Sequence, residues 1–171
     1  MKCMRLSKVA MMFGNDLIHE AKTFEKKLLN FFWRHGVSVT EAEDLVQETY
    51  LKLWKYRDRY KRTAKLQTFL FILARQALID AQRKFLRQTE KEASYAEHVE
   101  KVQQPASVAA EDDVRWALAR LSAPLRDVVE LGVFQDLPYG EVSQILEIPV
   151  GTVKSRMSNA IKKLKEIFDE R

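Results

Sequence analysis

Near the carboxy-terminal end, Thr152, Lys154, Ser155, Arg156, Ser158, Asn159, Lys162 and Lys163 crowd hydrogen-bonding and cationic side chains into a short stretch. Hydroxyls and amides can read base edges, while ammonium and guanidinium groups can hold phosphate oxygens. Between them Val153, Met157, Ala160, Ile161, Leu164 and Phe168 recur every three or four positions. A helix turning about 100° per residue would gather these into one buried stripe. Thr152, Ser155, Ser158, Asn159 and Lys162 would then face away from it, flanked by Lys154, Arg156 and Lys163.

Upstream, Tyr139, Val142, Ile145 and Leu146 give 139–146 a stripe of its own, and Pro149 forces that helix to end by Ile148. Two short helices across such a turn match the helix-turn-helix, whose second helix enters the major groove. A plain helical hairpin has the same pattern, with Lys162, Lys163 and Lys165 complementing the helix dipole.

Three other groupings have binding chemistry. The segment KYRDRYKRTAK, 55–65, holds six basic residues, one acid and two tyrosines. In Tyr56, Arg57, Tyr60, Lys61 and Arg62, cations that track phosphate alternate with rings that stack on unpaired bases. An ordinary basic loop with Tyr56 packed inward has the same composition. On the next helix Gln76, Asp80, Arg83, Lys84 and Arg87 share an outer face, suited to DNA or to water alike. Earlier, Asp44, Gln47, Glu48, Leu51 and Lys52 form a polar, acidic face with one exposed leucine, which a solvated helix would also present.

Catalytic chemistry finds no footing. Cys3 is the single cysteine, and His19, His35 and His98 stand apart, without metal-ligand spacing. No nucleophile with a base and no glycine-rich phosphate loop can be assembled. The chain therefore reads as a non-enzyme with no cofactor, metal or small-molecule substrate. The apolar run Val9–Phe13 is shorter than the roughly 7 residues of a signal peptide, and nothing approaches the roughly 20 of a membrane span. A cytoplasmic protein is expected.

The elements that must position these groups are helices throughout. The spacing predicts a helix from Asn15 or Asp16 to His35, stopped by Gly36, and a second capped by Thr40 and Glu43, with Leu45, Val46, Thr49, Tyr50, Leu53 and Trp54 inward. A third runs over 66–88, with Leu70, Leu73, Ala77 and Leu78 in the core. Residues 90–112 are polar, acidic and alanine-rich, with a short helix expected near 94–102. Beyond them Trp116, Leu118, Ala119 and Leu121 form a short helix. Ser122 and Pro124 start another, whose inward face is Val128, Val129, Leu131 and Phe134. The fold class is all-α: two small helical domains, 15–88 and 113–171, joined by a flexible linker, 89–112, after an extension, 1–14. Net charge follows this division, +9 over 1–87, −5 over 88–113 and +1 over 114–171, for a total of +5. Two modules that meet a polyanion would be joined by a segment that does not.

The strings IPVGTVKSR and LSAPLRDVVEL closely resemble the carboxy-terminal DNA-binding domain of bacterial sigma factors of the extracytoplasmic-function (ECF) group. EAEDLVQETYLKLWKY and LQTFLFILARQALIDAQRK resemble the amino-terminal domain of the same group, in the expected order. The resemblance implies that Asp44, Gln47, Glu48 and Leu51 dock on core RNA polymerase. It implies that Tyr56, Arg57, Tyr60, Lys61, Arg62, Gln76, Asp80, Arg83 and Lys84 recognise and open the minus-ten promoter element, with one base flipped out of the stack. Thr152, Lys154, Ser155, Arg156, Ser158, Asn159, Lys162 and Lys163 would bind the minus-thirty-five element. An anti-sigma factor, commonly membrane-bound in this group, is the implied controlling partner. Phe69, Ile72, Gln76, Glu147, Ser158 and Asn159 depart from the usual residues, which bears on promoter sequence rather than class. A stand-alone helix-turn-helix regulator with a ligand-binding or dimerising helical domain is the competing reading.

Overall fold

The computed structural model describes residues 16–57, 60, 65–93 and 109–169, and every regular element among them is helical. The first half holds α1 (Asp16–Lys22), α2 (Glu25–Arg34), α3 (Val39–Tyr56) and α4 (Leu66–Ala93). The second holds α5 (Ala109–Ala119), α6 (Ala123–Val129) running into a π-helical turn (Glu130–Phe134), α7 (Tyr139–Leu146) and α8 (Val150–Asp169). The extension 1–14 and the short helix expected near 94–102 lie outside the described residues.

Several expected boundaries move. The single helix expected up to His35 is broken at Thr23 and Phe24, where the Thr23 hydroxyl donates to the Glu20 carbonyl at 2.7 Å. A threonine side chain that bonds the preceding turn competes with the helical ladder. The capping box of α3 is Ser38 with Glu41, not Thr40 with Glu43. Glu41 N–H donates to Ser38 Oγ at 3.4 Å, and Ser38 N–H donates to Glu41 Oε2 at 3.2 Å. Both pairs have the required spacing, and Ser38 takes the role because Gly36, at φ +89°, turns the chain directly before it.

Aromatic packing organises the first half. Phe31, Phe32 and Phe71 are fully buried, and Phe31 meets Phe71 edge-on at 5.5 Å. Trp54, expected inside, is only half-buried, and at the other end of the helix the buried stripe begins at Ala42, three residues before Leu45. Helix α4 continues to Ala93, five residues beyond the expected Gln88. Those added residues are helix formers, so low hydrophobicity alone did not mark the stop.

In the second half Ala119 is exposed and Ala117 buried instead. Arg126 closes this end of α5, donating to the carbonyls of Leu118, Ala119 and Leu121 at 2.8–3.2 Å. Leu118 and Ala119 lie in the last turn of α5, where carbonyls lack partners within the helix, and Leu121 follows just beyond it. The buried stripe of α8 is Val153, Met157, Ala160 and Ile167, with Leu164 half-buried; Ile161 and Phe168 are each 47% exposed. Stepping four, three, four and three residues from Val153 passes through Met157, Ala160 and Leu164 and reaches Ile167. Ile161 and Phe168 lie one residue past that line, about 100° round the helix.

Candidate nucleic-acid interface

The turn between α7 and α8 fixes the orientation of the second helix. Glu147 closes α7 in the left-handed region, at φ 55° and ψ 42°, where glycine is the unstrained residue. Its N–H and that of Ile148 both donate to the Ser143 carbonyl. Pro149 then supplies the carbonyl that accepts from Thr152 and Val153 N–H at 2.9 and 3.1 Å, starting α8. Beneath that helix runs the π-helical turn. A Cβ added at Gly132 would sit 2.7 Å from Met157 Cε, so the flexible end of the Met157 side chain packs directly on this turn.

On α8, Lys154, Ser155, Ser158, Asn159, Lys162 and Lys163 are exposed together, while Thr152 and Arg156 are half-buried at the edge of the face. The Ser155 hydroxyl donates to the Thr152 carbonyl at 3.1 Å, which leaves its oxygen as an acceptor. Lys163 makes a 3.4 Å exposed ion pair with Glu166, of the kind that exchanges readily for phosphate.

The residues expected at the minus-ten element are spread more widely. Tyr56 is 39% exposed, and the Arg57 guanidinium lies 3.7 Å over the Trp54 ring while donating to the Trp54 carbonyl at 3.0 Å. Tyr60 stacks on Phe69, rings 5.0 Å apart and 23° from parallel, so one face of Tyr60 is already used. Lys61 and Arg62 lie outside the described residues. Gln76, Asp80 and Arg83 are exposed along α4, whereas Lys84 lines a groove of about 620 Å³ with Asp44 and Leu45.

On α3, Asp44 is exposed, Leu51 is 54% exposed, and Gln47 and Glu48 are half-buried. Lys52 joins this face to that of α4, reaching Asp80 at 2.8 Å and Glu48 at 3.4 Å. Desolvation works against it, but the hydrogen bond and charge of Asp80, with help from Glu48, hold the Lys52 ammonium above its ordinary range. Asp80 is correspondingly held low, chiefly by its hydrogen bond from Lys52.

Sequence reasoning missed a set of charged residues between the halves. Arg34 donates to the fully buried Glu130 at 3.2 Å, and His35 meets Asp127 at 3.0 Å. Lys65 reaches Glu141 at 2.7 Å. Nothing in the spacing pairs residues nearly a hundred positions apart. Among the described residues no group of three His, Cys, Asp or Glu could hold a metal ion, and no helix is long and apolar enough to cross a membrane.

Comparison with known proteins follows the same division. Residues 21–88 match the family model for Sigma-70 region 2, and residues 112–164 match that for Sigma-70, region 4. The ECF RNA polymerase sigma factor SigL of Mycobacterium tuberculosis is 30% identical over 146 residues, covering 81% of this chain and 82% of SigL. The ECF sigma factor RpoE of Cereibacter sphaeroides is 26% identical, covering 84% and 81%. Among solved structures, the sigma factor RpoE from Bartonella quintana, in complex with the anti-sigma factor NepR, superposes with a TM-score of 0.74 at 27% identity, over 88% of this chain and 95% of that one. CnrH, in complex with the cytosolic domain of CnrY, shares the fold at a TM-score of 0.71 and 18% identity, over 96% and 95%. With both sigma regions present in order and a relative of this identity matched over most of its length, the chain belongs to the ECF group of bacterial RNA polymerase sigma factors and has the function of an alternative sigma factor in transcription initiation.

Proposed function

We propose that three faces of this sigma factor divide the work of initiation. Asp44, Gln47, Glu48 and Leu51 dock on core RNA polymerase. Tyr56, Arg57, Tyr60, Lys61, Arg62, Gln76, Asp80, Arg83 and Lys84 bind and open the minus-ten element. Thr152, Lys154, Ser155, Arg156, Ser158, Asn159, Lys162 and Lys163 bind the minus-thirty-five duplex. The observation that carries this assignment is the shared exposure of Lys154, Ser155, Ser158 and Asn159 on the first turns of α8, the end from which a recognition helix reaches base edges. Residues 15–88 and 113–171 would be the two binding domains, joined through 89–112. The chain acts by binding alone, in the cytoplasm, without cofactor or small-molecule substrate. An anti-sigma factor is its controlling partner, by analogy with the Bartonella RpoE held by NepR.

The docking face has a direct test. Replacing Asp44 and Glu48 together by Ala should weaken core-polymerase binding by about 1 kcal/mol or more, as for charged anchors of an interface. The fold should be untouched, because an exposed pair such as Glu48 with Lys52 contributes little to stability. Titration of labelled core polymerase, with circular dichroism alongside, checks this. Undiminished binding by a folded variant would remove the face from the assignment.

A further inference from the structure

On α4, Leu78, Ala81 and Phe85 follow one another at three and four residues, the spacing of a single helical face. That stripe runs past its cover. Leu78 is 4% exposed, whereas Phe85 is 56% and the adjoining Leu86 59% exposed. Together with Val37 and with Leu45 of α3 they line the groove of about 620 Å³ between the start of α3 and the later turns of α4. Its size is within the roughly 300–1,000 Å³ of a ligand pocket. Two large apolar side chains exposed side by side on such a groove mark a surface that another segment covers.

Charge narrows what that segment is. The α3 rim is acidic, with Glu41 and Asp44 both exposed, and among the described residues Asp44 has no ion-pair partner. Lys84 stands on the α4 rim. An occupant that is apolar, and cationic where it meets α3, satisfies both the walls and the acidic rim.

The extension 1–14 has this composition. It carries Lys2, Arg5 and Lys8 and no acid, beside Leu6, Val9 and Phe13, and four of the five methionines of the chain, Met1, Met4, Met11 and Met12. Methionine side chains adapt to irregular apolar gaps. The linker, 94–108, is the other nearby stretch, but its Glu97 and Glu100 outnumber Lys101 and would meet an acidic rim. Reach is sufficient. Asp16 begins α1, five residues before Ala21, whose carbonyl accepts the Tyr50 hydroxyl at 3.4 Å, and Tyr50 lies five residues along α3 from Leu45. Five helical residues span only about 7.5 Å, whereas the residues before Asp16 reach about 3.3 Å each when extended. A tether this short holds the segment near the groove at about millimolar effective concentration.

We propose that residues 4–13 of this chain occupy the groove between α3 and α4, their apolar side chains on Phe85 and Leu86 and their cations toward Glu41 and Asp44, and that core polymerase displaces them to reach Asp44. The displacement rests on the docking face proposed above; the occupancy of the groove does not.

The test is methyl NMR on the full free chain, with labelled methionine and leucine. Methyls of Met4, Met11 or Met12 should show through-space contacts to those of Leu45, Leu78 or Leu86. Deleting 1–13 should shift the Leu45 and Leu78 methyls and leave those of Leu164 in place, and Phe85→Ala with Leu86→Ala should abolish the methionine contacts to Leu45 and Leu78. Circular dichroism confirms that each variant keeps its helices. No such contacts in the parent, or leucine methyls unmoved by the deletion, would overturn the occupancy and leave the groove to a partner protein. In a mixture of methionine-labelled and leucine-labelled chains, contacts that arise between chains would assign the groove to a second copy and overturn it equally. The chain lacking 1–13 is then titrated against labelled core polymerase and should bind several-fold more tightly than the parent. Unchanged affinity, with the methyl contacts present in the parent, overturns the displacement; if replacing Asp44 and Glu48 by Ala also leaves binding unchanged, the docking face is what fails and the occupied groove stands.

Discussion

Phe71→Ala should destabilise the chain by about 3–5 kcal/mol, the range for removing a fully buried aromatic side chain. Phe71 is 0% exposed, on the α4 turn between Phe69, which Tyr60 stacks on, and Arg75, which faces Asp127. Its ring meets Phe31 at 5.5 Å, and Phe31 in turn meets Phe32 at 5.4 Å and the His35 ring at 4.4 Å. Truncation loses both the transfer free energy and the contacts around the cavity left behind. Domains of this size are stable by only about 5–15 kcal/mol, so the loss is a large part of the total. Urea denaturation followed by circular dichroism measures it. Phe69→Ala, at a half-buried position, should cost distinctly less; equal costs would mean the core is not centred where Phe31 and Phe71 meet.

Asn159→Ala should change which minus-thirty-five bases are preferred, by about 1–3 kcal/mol if the amide makes a paired contact to a base edge. Asn159 is exposed beside Ser155 and Ser158, and among the described residues no hydrogen bond to its side chain appears, so the amide is available. Lys163 lies a further turn along α8, where cations more often meet phosphate. Lys163→Ala should therefore weaken all sequences alike and lower the salt dependence by about one phosphate contact. Selection from a promoter library at two salt concentrations separates these effects. A base preference that moves with Lys163 and not with Asn159 would reverse the orientation of α8 in the groove.

Much of this was legible because local rules decide it. Pro149 ends α7, and the spacing from Val153 to Met157 and Ala160 places the exposed face of α8 without tertiary information. Misreadings arose where two residues satisfied the same rule. Ser38 and Thr40 both begin a capping box, and only the turn at Gly36 selects Ser38. Ile161 and Phe168 are as apolar as Ile167, but lie off the line through the core. The π-helical turn left no sign in the sequence; it forms where the Gln135 N–H donates to the Glu130 carbonyl five residues back, at 3.0 Å. Nor could spacing foresee that Tyr60 would spend one ring face on Phe69, or that His35 would find Asp127. Contacts between distant segments depend on how the helices pack, which periodicity does not encode.

The most direct measurement is reconstituted initiation on a promoter library, with the purified chain and core polymerase supplied separately and together. Core polymerase with the chain should start transcription at fixed positions downstream of enriched minus-thirty-five and minus-ten sequences, and neither component alone should do so. A chain that selects the same duplex sequences by itself, with core polymerase adding neither affinity nor transcripts, would contradict its action as a sigma factor and return it to the class of stand-alone helix-turn-helix regulators.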